Sequence, residues 1–164
     1  MRAKLFVGLL VFVVVCGGTA SAVTVREVHY RTYDPATNTL SEPVKLAQGW
    51  IGTPMITMDS SGTLYVAWVQ KEETGIFQMY YTKSEDGGKT WSTPIAWGDP
   101  SDAYSYSRFR WSYYNYYNPD TIDIIWRKTS TGVHKLMYAT LQDPSKSSVI
   151  RQGSSSANWV LAHS

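Results

Sequence analysis

The chain has 164 residues, with 15 Lys and Arg against 13 Asp and Glu, and 14% of its residues are aromatic. This near balance of charge offers no basic surface for nucleic acid or an anionic membrane, and a single cysteine excludes a disulfide framework and a cysteine-ligated metal site. The length is sufficient for a real hydrophobic core.

The N-terminus has the three parts of a secretory signal peptide. A basic start at residues 1–4 precedes an apolar stretch from Leu5 to Gly18, and Ala20-Ser21-Ala22 is an A-x-A cleavage site. The apolar stretch is shorter than the roughly 20 residues of a membrane span, although an uncleaved N-terminal anchor is the alternative. We expect a secreted protein that begins at Val23 and binds neither nucleic acid nor membrane. Its 13 basic residues (15 less Arg2 and Lys4) then balance 13 acidic ones.

The remainder of the sequence predicts an all-β protein. Apolar, β-branched and aromatic runs alternate with turn signals at a spacing of roughly 8–12 residues, and no segment keeps the 3.6-residue period of a helix. The predicted strands are 25–33, 42–47, 53–58, 63–70, 76–83, 92–97, 107–114, 121–128, 134–141 and 147–151. The tail, 153–164, is rich in serine and is expected to be frayed.

The chain also contains an internal repeat. Residues 28–46 align without a gap on residues 79–97, at an offset of 51 (79 − 28), and 62–68 align on 120–126 at an offset of 58 (120 − 62). The first alignment pairs Tyr30 with Tyr81, Thr39 with Thr90, Ser41 with Ser92 and Pro43 with Pro94. A third similarity places 136–143 on 79–86, with a turn expected at Pro144-Ser145-Lys146.

Residues 84–91 read Ser-Glu-Asp-Gly-Gly-Lys-Thr-Trp. Ser and Asp side chains can bond the backbone of a turn, Gly supplies positive φ, and Thr and Trp suit the start of the next strand. The stretch resembles the Asp-box, or bacterial neuraminidase repeat, of sialidase-like β-propellers. It matches the pattern Ser-x-Asp-x-Gly-x-Thr-Trp at Ser84, Asp86, Gly88, Thr90 and Trp91. In that family the box is an outer-rim turn between the third and fourth strands of a blade, so the resemblance implies a structural role.

The resemblance divides the chain into a signal peptide (1–22), an Asp-box β-propeller-like module (23–152) and a flexible tail (153–164). Within the module, 23–47 would supply the last two strands of one blade, and 48–98 and 99–152 would form two complete four-stranded blades. Propellers close with about 4–8 blades, so two and a half blades form an incomplete ring. A truncated product, an open arc and an assembly of copies are the alternatives. Exposed edge strands would also permit self-association.

The aromatic segment 104–117 is the candidate ligand-binding region, with eight aromatic residues in fourteen. Alternate residues of a strand share a face, so Arg108 and Arg110 would point one way and Trp111 and Tyr113 the other. The offset of 58 places this segment on the innermost strand of its blade, where the resemblance places sialidase arginines. Guanidinium groups can clamp a carboxylate, and aromatic rings suit the faces of sugars. The alternative is that the rings pack between blades and the arginines stack on them.

Catalysis is not expected from this sequence. Sialidases use three arginines, a Tyr–Glu nucleophile pair and an Asp acid/base, and their N-terminal Arg-Ile-Pro stretch is absent here. The histidines, His29, His134 and His163, lack metal-ligand spacing, so we expect no metal or cofactor. The favoured reading is a secreted non-catalytic module that binds glycan or protein or serves as an architectural piece. An exo-sialidase or related glycoside hydrolase fragment and a degenerate reading frame are the alternatives.

Overall fold

A computed structural model describes residues 26–52, 54–99, 110–111, 121–130 and 133–154, and these residues contain strands and no helix. The strands are β1 (Arg26–Tyr30), β2 (Tyr33–Asp34), β3 (Thr39–Leu40), β4 (Val44–Ile51), β5 (Met55–Met58), β6 (Leu64–Lys71), β7 (Phe77–Ser84), β8 (Ile95–Trp97), β9 (Arg110–Trp111), β10 (Asp123–Ser130), β11 (Val133–Thr140) and β12 (Asp143–Ser154). All their pairings are antiparallel. The all-β prediction is therefore confirmed for the described residues, and among them there is no helix that could span a membrane.

Strands β5 to β8 form a meander in which each strand pairs with the next along the chain. Its centre is the β6–β7 hairpin, whose ladder runs over eight residues from Leu64 opposite Ser84 to Lys71 opposite Phe77. The sequence favours this pairing because both strands are rich in β-branched and aromatic residues. The turn predicted at 84–91 lies between β7 and β8, which pair as a hairpin.

Strands β9 to β12 form a second meander, in the order β12-β11-β10-β9. The predicted turn at Pro144-Ser145-Lys146 is wrong, because these residues lie within β12 and Asp143 already pairs with Thr140 of β11. The turn is instead Leu141-Gln142, and it is held by the Leu141 N–H, which donates to the Ile122 carbonyl oxygen at 2.8 Å. Proline is tolerated in β12 because an edge strand does not need every N–H for a ladder.

The N-terminal part of the structure is a long hairpin, β1–β4, with the short β2–β3 hairpin in its connection. The last two residues of β4, Trp50 and Ile51, leave β1 and pair with Lys71 and Gln70 of β6. Gly49 marks the change of partner. Its φ is 152°, and a Cβ there would lie 3.4 Å from the Gln70 side chain. The hairpin and the first meander thereby share one hydrogen-bonded sheet.

Strand β6 is buried on both faces, and this double burial holds the three groups of strands together. One face carries Ala67 and Val69, which pack in a cluster with residues of β10 and β11. The opposite face carries Val66 and Trp68, which pack in a second cluster with Val28 of β1 and Ile51 of β4. Alternate residues of a strand point to opposite faces, so the near-continuous apolar sequence of β6 suits a strand covered on both sides.

Residues separated by the offset of 58 occupy equivalent positions in the two meanders. Trp68 lies opposite Tyr80 in the first ladder, and Trp126 lies opposite Met137 in the second. Both tryptophans are buried, with 1% and 2% of their surface exposed. Trp68 packs towards the β1–β4 hairpin and Trp126 packs edge-on against Trp97 of the first meander, with ring centroids 5.2 Å apart. Each group of strands is therefore fastened by a tryptophan to the group that precedes it.

The connections of the first meander lie at two ends. Because its strands are antiparallel, the turns 59–63 and 85–94 lie at one end, which we call the turn end. The β4–β5 connection and the turn 72–76 lie at the opposite end, which we call the Glu72 end. These two ends differ in how their polar side chains are bonded.

Candidate functional site

The predicted ligand-binding residues lie in or around β9. Arg108 and Tyr113 are outside the described residues, and Arg110 and Trp111 are the two residues of β9, within the strand predicted at 107–114. Arg110 pairs with Ile125 and Trp111 with Ile124. The Cα atoms of β9 come within 8 Å of those of β5, so the first strands of the two meanders lie side by side.

The five motif residues of the 84–91 turn are all described, and Asp86 is the centre of their hydrogen bonds. Asp86 Oδ1 accepts from Ser84 Oγ at 2.8 Å, from the Lys89 N–H at 3.0 Å and from the Thr90 N–H at 2.9 Å. Asp86 Oδ2 accepts from Thr90 Oγ1 at 2.6 Å. These hydrogen bonds hold the pKa of Asp86 well below its usual value, and the bond from the Thr90 hydroxyl contributes most. The carboxylate is thus fully engaged in shaping the turn.

The same turn is fastened to the neighbouring hairpin through Tyr30. Gly88 has a φ of 89°, and a Cβ there would lie 2.2 Å from Tyr30 Cε1, so glycine is required. The Tyr30 ring meets Trp91 edge-on at 4.9 Å, and Trp91 Nε1 donates to the Gly88 carbonyl oxygen at 3.1 Å. Trp91 is half-buried. The motif residues join two groups of strands rather than line an open site.

The connection 32–41 repeats part of this arrangement at the offset of 51. The Thr32 N–H donates to Ser41 Oγ at 2.9 Å, as the Lys83 N–H donates to Ser92 Oγ at 3.1 Å. The Ser41 N–H donates to the Thr32 carbonyl oxygen at 2.8 Å, and the Ser92 N–H donates to the Lys83 carbonyl oxygen at 2.9 Å. Residues that the offset of 51 aligns therefore make equivalent hydrogen bonds in the two connections.

Asp59 stabilises a second turn, 59–63, at the turn end of the first meander. Its Oδ1 accepts from the Ser61 N–H at 3.0 Å and from the Thr63 N–H at 2.9 Å, and its Oδ2 accepts from the Tyr65 hydroxyl at 3.0 Å. Burial opposes ionisation of Asp59, but its hydrogen bonds, led by Ser61, lower its pKa below the usual value. Asp59 is therefore a turn residue, as expected for an acidic residue in a short loop.

Tyrosine–carboxylate pairs occur three times in the described residues: Tyr65–Asp59, Tyr80–Glu72 and Tyr138–Asp123. In each pair burial first, and then the bond to the carboxylate, raises the tyrosine pKa. The pKa of Tyr65 reaches about 12. A carboxylate with a low pKa, such as Asp59, is a poor general base for such a phenol. This geometry does not favour a tyrosine nucleophile at Tyr65.

The Glu72 end brings together polar side chains from distant parts of the chain. Arg26 Nη1 donates to the Ile51 carbonyl oxygen at 3.0 Å, and Trp68 Nε1 donates to Gln70 Oε1 at 3.3 Å. The Tyr80 hydroxyl is bonded to Glu72, and the Tyr80 ring stacks on Trp68 at 6.3 Å. Sequence reasoning missed this group, because no local motif connects residues of β1, β6 and β7.

Metal binding has no support in the described residues, where no group of three or more His, Cys, Asp or Glu side chains could hold an ion. His29 Nε2 lies 2.8 Å from Glu27 Oε2, and His134 is buried. His163 lies outside the described residues.

Neither the models of known protein families nor the curated proteins gave a match to this chain, so its function has to be inferred from its own geometry.

Proposed function

We propose that the chain is a secreted, non-catalytic Asp-box module that binds a glycan or a protein or serves as an architectural piece. The observation that carries the proposal is the pair of stacked four-stranded meanders, of which the first contains the turn centred on Asp86. In this proposal β5–β8 and β9–β12 are sialidase-like propeller blades. The β1–β4 hairpin supplies the last two strands of a preceding blade.

The position of the 84–91 turn supports the assignment as an Asp-box. The turn joins β7 to β8, which are the third and fourth strands of their meander, and this is where the family carries its box. Ser84, Asp86 and Thr90 bond one another as well as the backbone. The reduced turn at 32–41 occurs between two strands that would hold the same places in the preceding blade.

The ligand would bind along β9. The first strands of successive blades approach one another at the axis of a propeller, and the proximity of β5 and β9 agrees with that arrangement. Arg110 and Trp111 lie on this strand, and Arg108 and Tyr113 are their sequence neighbours. Guanidinium groups would bind a carboxylate and aromatic rings a sugar face.

The non-catalytic part of the proposal is supported by the carboxylates at the turn end. Asp59 and Asp86 both accept several hydrogen bonds that fix a turn, and both have a lowered pKa. A general acid needs a pKa raised towards neutral pH. The pKa values of Asp59 and Asp86 are lowered instead, which is the opposite of what a general acid needs.

A glycan array tests the binding role, with sialylated and neutral glycans and the Arg110→Ala variant. We expect binding that Arg110→Ala abolishes and that the matched control Arg151→Ala, in the exposed part of β12, leaves unchanged. A fluorogenic sialoside should show no turnover above a blank without protein. Turnover that is lost in Arg110→Ala would overturn the non-catalytic assignment.

Secretion is tested by mass spectrometry of the protein from culture medium. We expect Val23 as the first residue, because Ala20-Ser21-Ala22 is the cleavage signal. An intact Met1 in a membrane fraction would instead indicate an uncleaved anchor.

Self-association through edge strands belongs to the same proposal. Strand β12 ends its sheet, and Val149 and Ile150 within it are 48% and 52% exposed. An apolar edge strand is a template for pairing with another chain. If β12 pairs between copies, Val149→Lys should shift the elution of the protein towards the monomer in size-exclusion chromatography.

A further inference from the structure

Trp50, Lys71 and Phe77 form one row across three neighbouring strands at the Glu72 end. Trp50 of β4 lies opposite Lys71 of β6, and Lys71 lies opposite Phe77 of β7. Lys71 shares a face of β6 with Val69, which belongs to the cluster of buried residues that joins the two meanders. Phe77 packs against the same cluster. The row therefore continues the core towards the end of the strands.

The ammonium group of Lys71 lies over both aromatic rings of this row. Lys71 Nζ is 5.3 Å from the centroid of the Trp50 ring and 5.9 Å from the centroid of the Phe77 ring. The two ring centroids are 5.6 Å apart, with an angle of 46° between the ring planes. A cation over an aromatic face is attracted by the negative charge of that face. Both rings thus present a face to the place that the ammonium group occupies.

The row is accessible to solvent, unlike the row next to it. Lys71 is exposed, and Trp50 and Phe77 are half-buried, whereas Val69 is only 3% exposed. The turn that follows β6 does not crowd the lysine, because even a Cβ added at Gly75 would lie 4.0 Å from Lys71 Cε. A ligand can therefore reach the ammonium group and the rings without any movement of the core.

Lys71 differs from other lysines of the structure in its partners. Lys45, Lys83 and Lys146 each form an ion pair with a carboxylate. Lys71 lies over the two rings instead, and it has no ion pair with a carboxylate of the described residues. An ammonium group has three N–H donors. Those of Lys71 are therefore suited to an anionic group from outside the chain.

The row favours a ligand that carries an apolar face beside an anionic group. The C–H face of a pyranose ring is apolar, so it can cover an aromatic ring that is otherwise in contact with water. A carboxylate attached directly to the pyranose lies at the edge of that face, where an ammonium group above the aromatic ring can donate to it. A cationic ligand is disfavoured, because Lys71 has the same charge.

We propose that Trp50, Lys71 and Phe77 bind an anionic saccharide of the uronic acid class, whose pyranose ring stacks on Trp50 while its carboxylate accepts from Lys71 Nζ. Phe77 extends the apolar surface on the other side of the lysine. The site shares no residue with β9, so it does not rest on the proposed function.

The test is a titration of the isotopically labelled full chain, followed by NMR at the Trp50 indole N–H resonance. The two probes are methyl glucuronide and methyl glucoside, which differ only in that the first has a carboxylate where the second has a hydroxymethyl group. We expect a saturable shift with methyl glucuronide, and an affinity for methyl glucoside that is about three- to tenfold weaker. Lys71→Gln should reduce the affinity for methyl glucuronide to that for methyl glucoside.

Three variants serve as controls. Lys83→Gln removes a lysine that pairs with Glu85 at the turn end, so it should leave both affinities unchanged. Arg110→Ala should also leave them unchanged, which separates this site from binding along β9. Trp50→Leu identifies the indole resonance and should abolish the saturable shifts of the backbone amides at 71–77.

The wild-type titration decides the outcome even where a variant fails to fold. A Trp50 resonance that neither glycoside moves would overturn the proposal. Equal affinities for the two glycosides would also overturn it, since Lys71 would then recognise no charge. Acetate that produced the same saturable shift at the same affinity as methyl glucuronide would show that the site binds a carboxylate alone, and would overturn the saccharide class.

Discussion

The two ends of the first meander use polar side chains in opposite ways. At the turn end, Asp86 and Asp59 accept from donors no more than six residues away along the chain. At the Glu72 end, Arg26 reaches Ile51, 25 residues away, and Arg26 Nε and Glu72 Oε1 lack protein partners. Saturated local bonds specify the conformation of a turn, whereas the bond from Arg26 to Ile51 joins strands that are distant in sequence. The comparison teaches that the conspicuous motif shapes its own turn, and that the polar residues of the Glu72 end depend on tertiary packing.

The largest effect is expected for Gly88→Ala at the turn end. A Cβ at Gly88 would meet Tyr30 at 2.2 Å, and the residue also has a φ of 89°. Strain and overpacking together should lower the free energy of unfolding by about 3 kcal/mol. Chemical denaturation measures the change. Gly62→Ala is the matched control, because its φ is 88° but no atom lies within 4 Å, so it should cost only about 1 kcal/mol. Equal losses in the two variants would show that the Tyr30 contact does not hold the turn.

The next effect is expected for Trp91→Ala, which removes the ring that packs on Tyr30. Full burial of a tryptophan would imply a loss of about 3–5 kcal/mol. Because Trp91 is half-buried, we expect about 2 kcal/mol in denaturant unfolding. A loss below about 1 kcal/mol would mean that the ring contributes little and that the turn does not fasten the hairpin.

The same contrast explains what could be predicted from the sequence. The 84–91 turn was predictable because its bonds are local, and β6, found at 64–71 and predicted at 63–70, was predictable because its apolar run is unbroken. The position of the β11–β12 turn was predicted wrongly because Pro144 suggested a break in the strand. In the structure Asp143 pairs with Thr140, and β12 continues through Pro144. The switch of β4 from β1 to β6 at Gly49, and the bond from Arg26 to the Ile51 carbonyl oxygen, depend on tertiary packing that no local pattern encodes.

A third prediction sets Asp86→Asn against Glu72→Gln. The pKa of Asp86 in the folded protein is below its usual value of 3.8. Its carboxylate therefore stabilises the fold above that pH, and the stabilisation is lost as the pH falls below it. Asp86→Asn should lower stability at neutral pH and flatten the acid limb of a plot of stability against pH. Glu72→Gln should leave stability nearly unchanged or raised, because it neutralises a carboxylate with a buried oxygen that has no protein partner.

Asp34→Asn is the matched control for the acid limb. Asp34 accepts the Ala36 N–H at 2.9 Å in the equivalent connection, a much smaller network than that of Asp86, so its substitution should change the limb less. A Glu72→Gln variant less stable than Asp86→Asn would reverse the comparison between the two ends.

The smallest effect is expected at alkaline pH and comes from Tyr65. Its pKa is raised from 10.0 to about 12, first by burial and then by the bond to Asp59. The folded state holds the phenol proton more tightly than the unfolded state, so this stabilisation is complete below pH 10 and is lost as the pH rises towards 12. Tyr65→Phe cannot ionise and should lose less stability over that interval than the wild type does. Tyr33→Phe is the matched control, because the Tyr33 hydroxyl donates to Asn38, which is a neutral acceptor. Thermal unfolding measured at intervals from pH 9 to 12 would show the difference. Identical alkaline losses in Tyr65→Phe and the wild type would mean that the Asp59 turn does not hold the phenol proton, and that the turn end is less tightly bonded than its geometry indicates.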